Sequence, residues 1–115
     1  MFTLLIDMDG VLTKDKELNL FDFAPEFISF LKEKKIPFRI VSNNSTRSPD
    51  LIVSRLREKG LNIEAKEFIS PVAVLPQYLR ERGIKSIFVI GTDMLKDFLK
   101  GQGFDVKDNH EVDAV

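Results

Sequence analysis

Three short apolar runs, separated by segments with helical periodicity, dominate the pattern of the chain. The runs are Thr3–Ile6 (TLLI), Phe38–Val41 (FRIV) and Ile87–Ile90 (IFVI). They are rich in Ile, Val and Phe and do not alternate cleanly with polar residues, which is typical of strands buried on both faces. The pattern therefore predicts three strands of a parallel sheet that lies under helices.

Helices are predicted in the segments between these runs. Phe27, Phe30 and Leu31 recur at positions i, i+3 and i+4, which is the apolar stripe of an amphipathic helix. The next helix is predicted to start after Ser48, which can serve as its N-cap, and to stop at Gly60. This alternation of strands and helices indicates βαβ units and hence an α/β fold.

Two further helices are predicted in the second half of the chain. One is predicted to begin near Leu75, because Pro76 would break or kink a helix that began at Pro71. The other is predicted to be capped by Thr92 or Asp93 and to end at one of the glycines of the GQG sequence.

Composition narrows the class of function. The hydrophobic content of 43% and charged content of 30% are ordinary for a globular chain, and a net charge of −1 gives no basic field for nucleic acid or an anionic membrane. Because cysteine is absent, disulfides, thiol nucleophiles and thiolate metal sites are excluded. The apolar start is too short for a signal peptide, and no apolar run approaches the ~18 residues of a membrane span. We therefore predict a soluble cytoplasmic protein.

Two acidic residues stand at the end of the first apolar run. Asp7 and Asp9 are one residue apart, Gly10 follows directly, and the second run ends in Ser42 within the sequence SNNST. In open parallel sheets, ligands bind beyond the carboxyl ends of the strands, and consecutive strands are usually neighbours. We therefore expect these groups to converge on one crevice.

The chemistry of such a crevice follows from its residue types. Neighbouring carboxylates repel each other unless a cation offsets their charge, and Mg²⁺ takes carboxylate, carbonyl and water oxygens as ligands. A metal could hold one carboxylate ionised while the other carries a proton, which provides a nucleophile and a general acid–base. Gly10 allows a tight turn whose backbone N–H groups, with the Ser42 hydroxyl, would face an anionic substrate. Together these features indicate phosphoryl transfer.

The tetrapeptide D-x-D-G also has an ordinary structural explanation. It is a common turn sequence, and an Asx-turn that closes a surface loop would use the same residues. The apolar strand before it, and a second strand that ends in S-N-N one βα unit later, favour the functional interpretation.

The residues at these two strand ends resemble the motifs of the haloacid dehalogenase (HAD) superfamily of phosphohydrolases. Its first motif is a hydrophobic strand followed by D-x-D-G-[TV]-[LV], here residues 7–12 (DMDGVL), and its second is a strand that ends in Ser or Thr, here Ser42. The combination with S-N-N-S is similar to the NagD-like, p-nitrophenylphosphatase-type branch, subclass IIA. The resemblance implies a Rossmann-like α/β core with a parallel sheet, together with an α/β cap of the C2 type.

The resemblance also implies a domain organisation. Residues 1–83 would form the N-terminal part of the HAD-like hydrolase core, and residues 84–115 the start of the C2-type cap. Only 34 residues separate Asp7 from Ser42, so no sizeable cap fits between the two motifs. The family's later motifs, a lysine and further acidic metal ligands, have no counterpart that position assigns here. The final VDAV begins to look like another strand, and the chain is expected to be truncated and nearly inactive alone.

Catalytic roles carry over by position to the two aspartates. The resemblance implies that Asp7 attacks phosphorus and forms an aspartyl-phosphate. Asp9 would protonate the leaving oxygen and then activate the hydrolytic water. The Asp7 carboxylate and the Asp9 backbone carbonyl would ligate Mg²⁺.

Phosphate-binding roles carry over to residues at both strand ends. Ser42, with the Asn43 backbone N–H, would hold the phosphoryl oxygens, and Asn44 would lie near the substrate. Met8 and Gly10 are predicted to bind phosphate through the backbone of the first turn.

The implied function is Mg²⁺-dependent hydrolysis of a phosphomonoester in a small phosphorylated metabolite, with no nucleic-acid or membrane partner; a homo-oligomer is left open. A first alternative is a catalytically incompetent fragment or module that binds a phosphate or a partner chain. A second is a receiver-like signalling domain that accepts a phosphoryl group on aspartate. The position of Asp7 on the first strand, with Asp9 two residues later, weighs against the receiver.

Overall fold

The computed structural model describes residues 2–44 and 47–115, which form a mixed α/β structure. Strands and helices alternate along nearly all of this part of the chain. The elements are β1 (Leu4–Asp7), α1 (Ala24–Glu33), β2 (Phe38–Val41), α2 (Pro49–Glu58), β3 (Phe68–Ile69), α3 (Pro71–Glu81), β4 (Ser86–Ile87), α4 (Asp93–Gly101) and β5 (Asp105–Val106).

The chain divides into two compact units. Unit 1 comprises residues 1–43 and 49–70, and unit 2 comprises residues 44–48 and 71–115. The predicted domain bounds, residues 1–83 and 84–115, stay a prediction. The assignment of residues 84–115 to a C2-type cap stays a prediction.

Unit 1 contains a parallel sheet of the strand order β1-β2-β3. Leu4 pairs with Phe38 and Asp7 with Val41 in the register of β1 and β2, and Ile40 pairs with Phe68 in that of β2 and β3. The α/β fold with a parallel sheet is therefore confirmed. Strand β3 was not predicted, because its two residues are too short a run to show a period.

The edge strand β1 is covered on one face only. Ile6 is buried at 8% exposure in the core of unit 1, whereas Leu5 is 71% exposed. Successive strand residues point to opposite faces, so these values assign one face of β1 to the core and the other to solvent. The prediction that this run is buried on both faces is therefore wrong for β1.

Helix α3 begins earlier than predicted. It runs from Pro71 and contains Pro76 in its interior, so the expected start near Leu75 is wrong. Proline costs the helix one hydrogen bond, from its own missing N–H. Val72, Pro76 and Leu79 are all buried at spacings of four and three residues, and the burial of this apolar stripe offsets the lost bond.

Unit 2 also contains a small two-stranded parallel sheet. Ser86 pairs with Asp105 and Ile87 with Val106. The third predicted strand is thus short, and its last residue, Ile90, is 83% exposed. The strand suggested by the final VDAV is a single parallel bridge between Ile87 and Ala114.

The last helix has the predicted bounds. It spans Asp93–Gly101, and the Thr92 hydroxyl oxygen accepts a hydrogen bond from the Leu95 N–H at 3.4 Å. Among the residues described, no helix is long and apolar enough to cross a bilayer.

Candidate active site at the end of the first strand

The two predicted motifs lie side by side at one edge of the sheet in unit 1. Asp7, the last residue of β1, pairs with Val41, the last residue of β2. The pairing continues one step further, because the Met8 N–H donates to the Val41 carbonyl at 2.9 Å. The parallel register therefore brings the backbone of the D-M-D-G segment next to Ser42.

A tight turn follows β1 and folds back onto Met8. The Met8 carbonyl accepts hydrogen bonds from the N–H groups of Leu12 at 2.9 Å and Thr13 at 3.0 Å. Gly10 closes the turn with a φ of +81°, a left-handed conformation that L side chains rarely adopt. Its N–H donates to the Thr13 carbonyl at 2.8 Å. The glycine is thus required by the turn that places Asp9.

The two carboxylates on either side of Met8 face solvent. Met8 is fully buried, whereas Asp7 and Asp9 are both exposed. Within residues 2–44 and 47–115, neither carboxylate takes part in a hydrogen bond or ion pair. The carboxylates therefore play no part in holding the turn together, which is held instead by backbone bonds and buried side chains.

Ser42 occupies the corresponding position after β2. Its N–H donates to the Ile69 carbonyl at 2.9 Å, and its side chain is buried at 1% exposure. Asn43, which follows, is exposed. The Ser42 backbone is therefore bonded to the end of β3, one residue after Val41, whose carbonyl accepts the bond from the Met8 N–H.

Asn44 belongs to unit 2 and has a local structural role. Its side-chain Oδ1 accepts a hydrogen bond from the Arg47 N–H at 3.0 Å. In this bond a short polar side chain takes the place of a backbone acceptor. Its predicted position near a substrate stays a prediction.

The backbone donors of the first turn are engaged within the chain. The Met8 N–H bonds to Val41 and the Gly10 N–H bonds to Thr13, so a phosphate would have to replace existing bonds to receive either. The structure therefore does not present these two N–H groups as an open anion cradle. Phosphate binding by Met8 and Gly10 stays a prediction without support from these contacts.

The oxygen atoms of Asp7 and Asp9 are donors of the kind that Mg²⁺ binds. Mg²⁺ is commonly bound by one or two carboxylates, with waters and substrate phosphates completing its octahedral shell. The implied ligands are the Asp7 carboxylate and the Asp9 backbone carbonyl, and both residues are exposed on either side of one buried residue. In the described part of the chain, no group of three or more His, Cys, Asp or Glu side chains is arranged to hold a metal. These oxygen donors are therefore of the kind that Mg²⁺ takes, and among the described residues they form no closed metal cage.

Comparison with known proteins identifies the family. Residues 4–105 match the model of the haloacid dehalogenase-like hydrolases. An acid sugar phosphatase of Staphylococcus saprophyticus is 33% identical over 112 residues, which are 96% of this chain and 42% of that protein. The chain belongs to the haloacid dehalogenase-like hydrolase family.

Solved structures agree with this assignment. A p-nitrophenyl phosphatase from Archaeoglobus fulgidus is 30% identical with a TM-score of 0.80, over 92% of this chain and 40% of that one. NagD from Escherichia coli K-12 shares the fold, with a TM-score of 0.76 at 23% identity over 92% of this chain and 42% of that one. The resemblance to the NagD-like, p-nitrophenylphosphatase-type branch is therefore confirmed. The chain spans about two fifths of the length of these relatives.

Proposed function

We propose that this chain carries the nucleophile half of a Mg²⁺-dependent phosphomonoesterase. The observation that carries the proposal is the exposed pair Asp7 and Asp9, which has no partner among the described residues and lies at the carboxyl edge of a parallel sheet. Ligands in open α/β sheets bind at this edge. The family assignment, and the phosphatase names of its relatives, support phosphate as the group acted upon.

The two carboxylates divide the reaction between them. An Asp7 carboxylate oxygen forms a bond to phosphorus while the bond from phosphorus to the ester oxygen breaks, and Asp9 donates a proton to that leaving oxygen. Asp9 then takes a proton from water, whose oxygen bonds to phosphorus while the bond from phosphorus to the Asp7 oxygen breaks, which restores the Asp7 carboxylate and releases inorganic phosphate. The Asp7 carboxylate and the Asp9 carbonyl would hold Mg²⁺, which supplies positive charge that offsets the phosphoryl oxygens.

Ser42 and Asn43 would hold the phosphoryl oxygens beside this pair. The register of β1 and β2 supports the role, because it sets the backbone of Ser42 next to that of Met8. The substrate is proposed to be a small phosphorylated metabolite in the cytoplasm.

A second candidate function is a module that binds phosphate or a partner chain without turnover. The observation that favours it is the acidic pair itself, since no third acidic side chain joins it within residues 2–44 and 47–115. A site with few metal ligands loses affinity and activity together. On this view catalysis needs residues from another polypeptide segment.

A segment exchange tests the proposed function. Residues 1–115 would replace the matching segment of the Staphylococcus saprophyticus acid sugar phosphatase, giving a segment-exchange enzyme. We expect Mg²⁺-dependent release of p-nitrophenol from p-nitrophenyl phosphate, and Asp7→Asn should lower kcat at least about a thousandfold because the nucleophile is lost. Asp22→Asn is the matched control, because Asp22 is an exposed aspartate outside the motif.

Each outcome separates the candidates. A folded segment-exchange enzyme without turnover, or one insensitive to Asp7→Asn, contradicts the catalytic proposal. The 115-residue chain alone is expected to hydrolyse the ester at background rate, and robust turnover abolished by Asp7→Asn would show that it needs no further residues. If the exchanged protein does not fold, Mg²⁺ titration of the isolated chain by NMR replaces it, and shifts that avoid Asp7 and Asp9 contradict the proposal.

A further inference from the structure

Thr13 is one of three buried polar side chains in the described part of the chain. It is 1% exposed, and the other two are Ser42 and Ser70. It directly follows the DMDGVL motif, and the motif gives it no role. Thr13 therefore combines deep burial, a hydroxyl group and a position next to the candidate site.

Thr13 closes the first turn at three points. Its side-chain Oγ1 donates to the Met8 carbonyl at 3.2 Å, and its N–H donates to the same oxygen at 3.0 Å. Its own carbonyl accepts the Gly10 N–H at 2.8 Å. Two of these bonds come from the backbone and would survive replacement of the side chain, so the hydroxyl adds the one contact that depends on residue identity.

The Met8 carbonyl links the Thr13 hydroxyl to the acidic pair, because it lies on the backbone between Asp7 and Asp9. Met8 lies between Asp7 and Asp9, and its N–H is already fixed to Val41 on the neighbouring strand. The peptide group that begins with the Met8 carbonyl leads directly into Asp9. Holding that carbonyl therefore fixes the peptide plane from which the Asp9 side chain departs, while the strand fixes Asp7.

We propose that Thr13 is a positioning residue, whose hydroxyl holds the Met8 carbonyl and thereby sets the direction of Asp9 relative to Asp7. The expected effect of Thr13 on catalysis rests on the proposed function. The stabilisation of the first turn by the Thr13 hydroxyl does not depend on that function. Catalytic groups need a fixed geometry, because small misplacements of reacting groups slow the chemical step strongly. Thr13 is proposed to provide this rigidity from its buried position, through its bond to the Met8 carbonyl and without contact with a substrate.

Two substitutions isolate the hydroxyl. Thr13→Val keeps the shape of the side chain and removes the donor, while Thr13→Ser keeps the donor. In the isolated 115-residue chain, Thr13→Val should accelerate hydrogen exchange of the Gly10 amide at least about threefold, because the turn opens more often. Exchange of the Ile40 amide in β2 should be unchanged, which separates local opening from global unfolding. Thr13→Ser should restore the Gly10 rate.

The catalytic consequence is measured in the segment-exchange enzyme. Thr13→Val should lower kcat about three- to tenfold, the range of one net hydrogen bond, with KM within about twofold. Thr13→Ser should recover kcat to within about twofold. Thr92→Val is the control, because it removes a hydroxyl hydrogen bond at the cap of α4 and should leave kcat unchanged.

The outcomes separate this inference from the proposed function. Unchanged Gly10 exchange in Thr13→Val, or unchanged kcat in an active enzyme, overturns the positioning role. An equal loss in Thr13→Ser and Thr13→Val overturns it too, since the donor would then not matter. Faster Gly10 exchange, with an inactive parent enzyme, supports the hold on the turn and contradicts the proposed function.

Discussion

Two segments of this chain have the same outline and different uses. LLIDMDG leads from β1 into the first turn, and IFVIGTD leads from β4 into α4, so each passes from apolar residues to glycine and aspartate. In the second segment the polar groups serve the helix. The Thr92 hydroxyl oxygen caps it, and Asp93 is its first residue, where a negative charge suits the helix dipole.

The first segment uses its polar side chains differently. Backbone bonds to Met8 and Thr13 complete its turn, and the Asp7 and Asp9 carboxylates have no partner among the residues described. Because these carboxylates are not needed to stabilise the fold, they are available to bind a ligand. The two segments therefore differ in whether their polar side chains serve the fold, and not in their composition.

The largest expected difference between the segments concerns activity. In the segment-exchange enzyme, Asp9→Asn should lower kcat by about 10²–10⁴-fold, the usual contribution of a general acid–base. Asp93→Asn should leave kcat within about twofold and lower the free energy of unfolding by about 0.3–1 kcal/mol through the helix dipole. Steady-state release of p-nitrophenol and thermal melts measure both. Equal losses of kcat in the two variants would contradict the distinction.

The isoleucines just before the two turns should differ in stability. Ile6 is buried in the core of unit 1, whereas Ile90 faces solvent. Ile6→Ala should lower the free energy of unfolding by about 2–5 kcal/mol, because it leaves a cavity. Ile90→Ala should change it by less than about 0.5 kcal/mol. Urea denaturation of the isolated chain measures both, and a loss in Ile90→Ala as large as that in Ile6→Ala would contradict the contrast.

Much of the fold follows from local sequence signals. The run FRIV predicts β2, and the Thr92 cap predicts the start of α4, because strand and capping patterns depend on near neighbours. Which face of β1 is covered depends on elements far along the chain, so Leu5 could not be placed. The two-residue β3 and β5 carry no period at all.

The candidate site was partly predictable for the same reason. The acidic pair and its neighbour Ser42 follow from strand ends and spacing, and the register places their backbones together. The engagement of the Gly10 N–H by Thr13 depends on how the turn closes, which the motif alone does not reveal. Thr13 was missed because its burial and its bond to Met8 arise only in the folded turn.

The glycines of the two segments should respond in opposite directions. Gly10 has a φ of +81°, so Gly10→Ala should cost about 1–2 kcal/mol of stability through backbone strain. A Cβ at Gly91 would meet the Leu95 Cδ2 at 3.4 Å, an ordinary contact, and its φ lies outside the left-handed region. Gly91→Ala should therefore stabilise by about 0.4–1 kcal/mol, through lower entropy of the unfolded chain. Thermal melts measure both, and destabilisation of equal size would contradict the contrast.

The smallest expected effect is on stability and concerns Asp15, an aspartate that follows the first turn and whose carboxylate is hydrogen-bonded within the fold. Asp15 accepts hydrogen bonds from the Asn19 side chain at 2.8 Å and the Asn19 N–H at 3.0 Å, and these bonds lower the pKa of its carboxyl. A lowered pKa in the folded state stabilises the fold above the ordinary aspartate pKa of about 4, and this contribution is lost as pH falls through the lowered value.

The melting temperature of Asp15→Asn should therefore lie slightly below that of the parent chain at pH 7, and the gap should close as pH falls from about 4 through the lowered pKa of the Asp15 carboxyl. Asp113→Asn should behave alike in unit 2, because the Lys85 and Ser86 N–H groups lower the pKa of that carboxyl. Asp22→Asn is the control for loss of an exposed charge. A gap for Asp15→Asn that persists unchanged into acid would contradict the linkage, since only the ionised carboxylate benefits from those bonds.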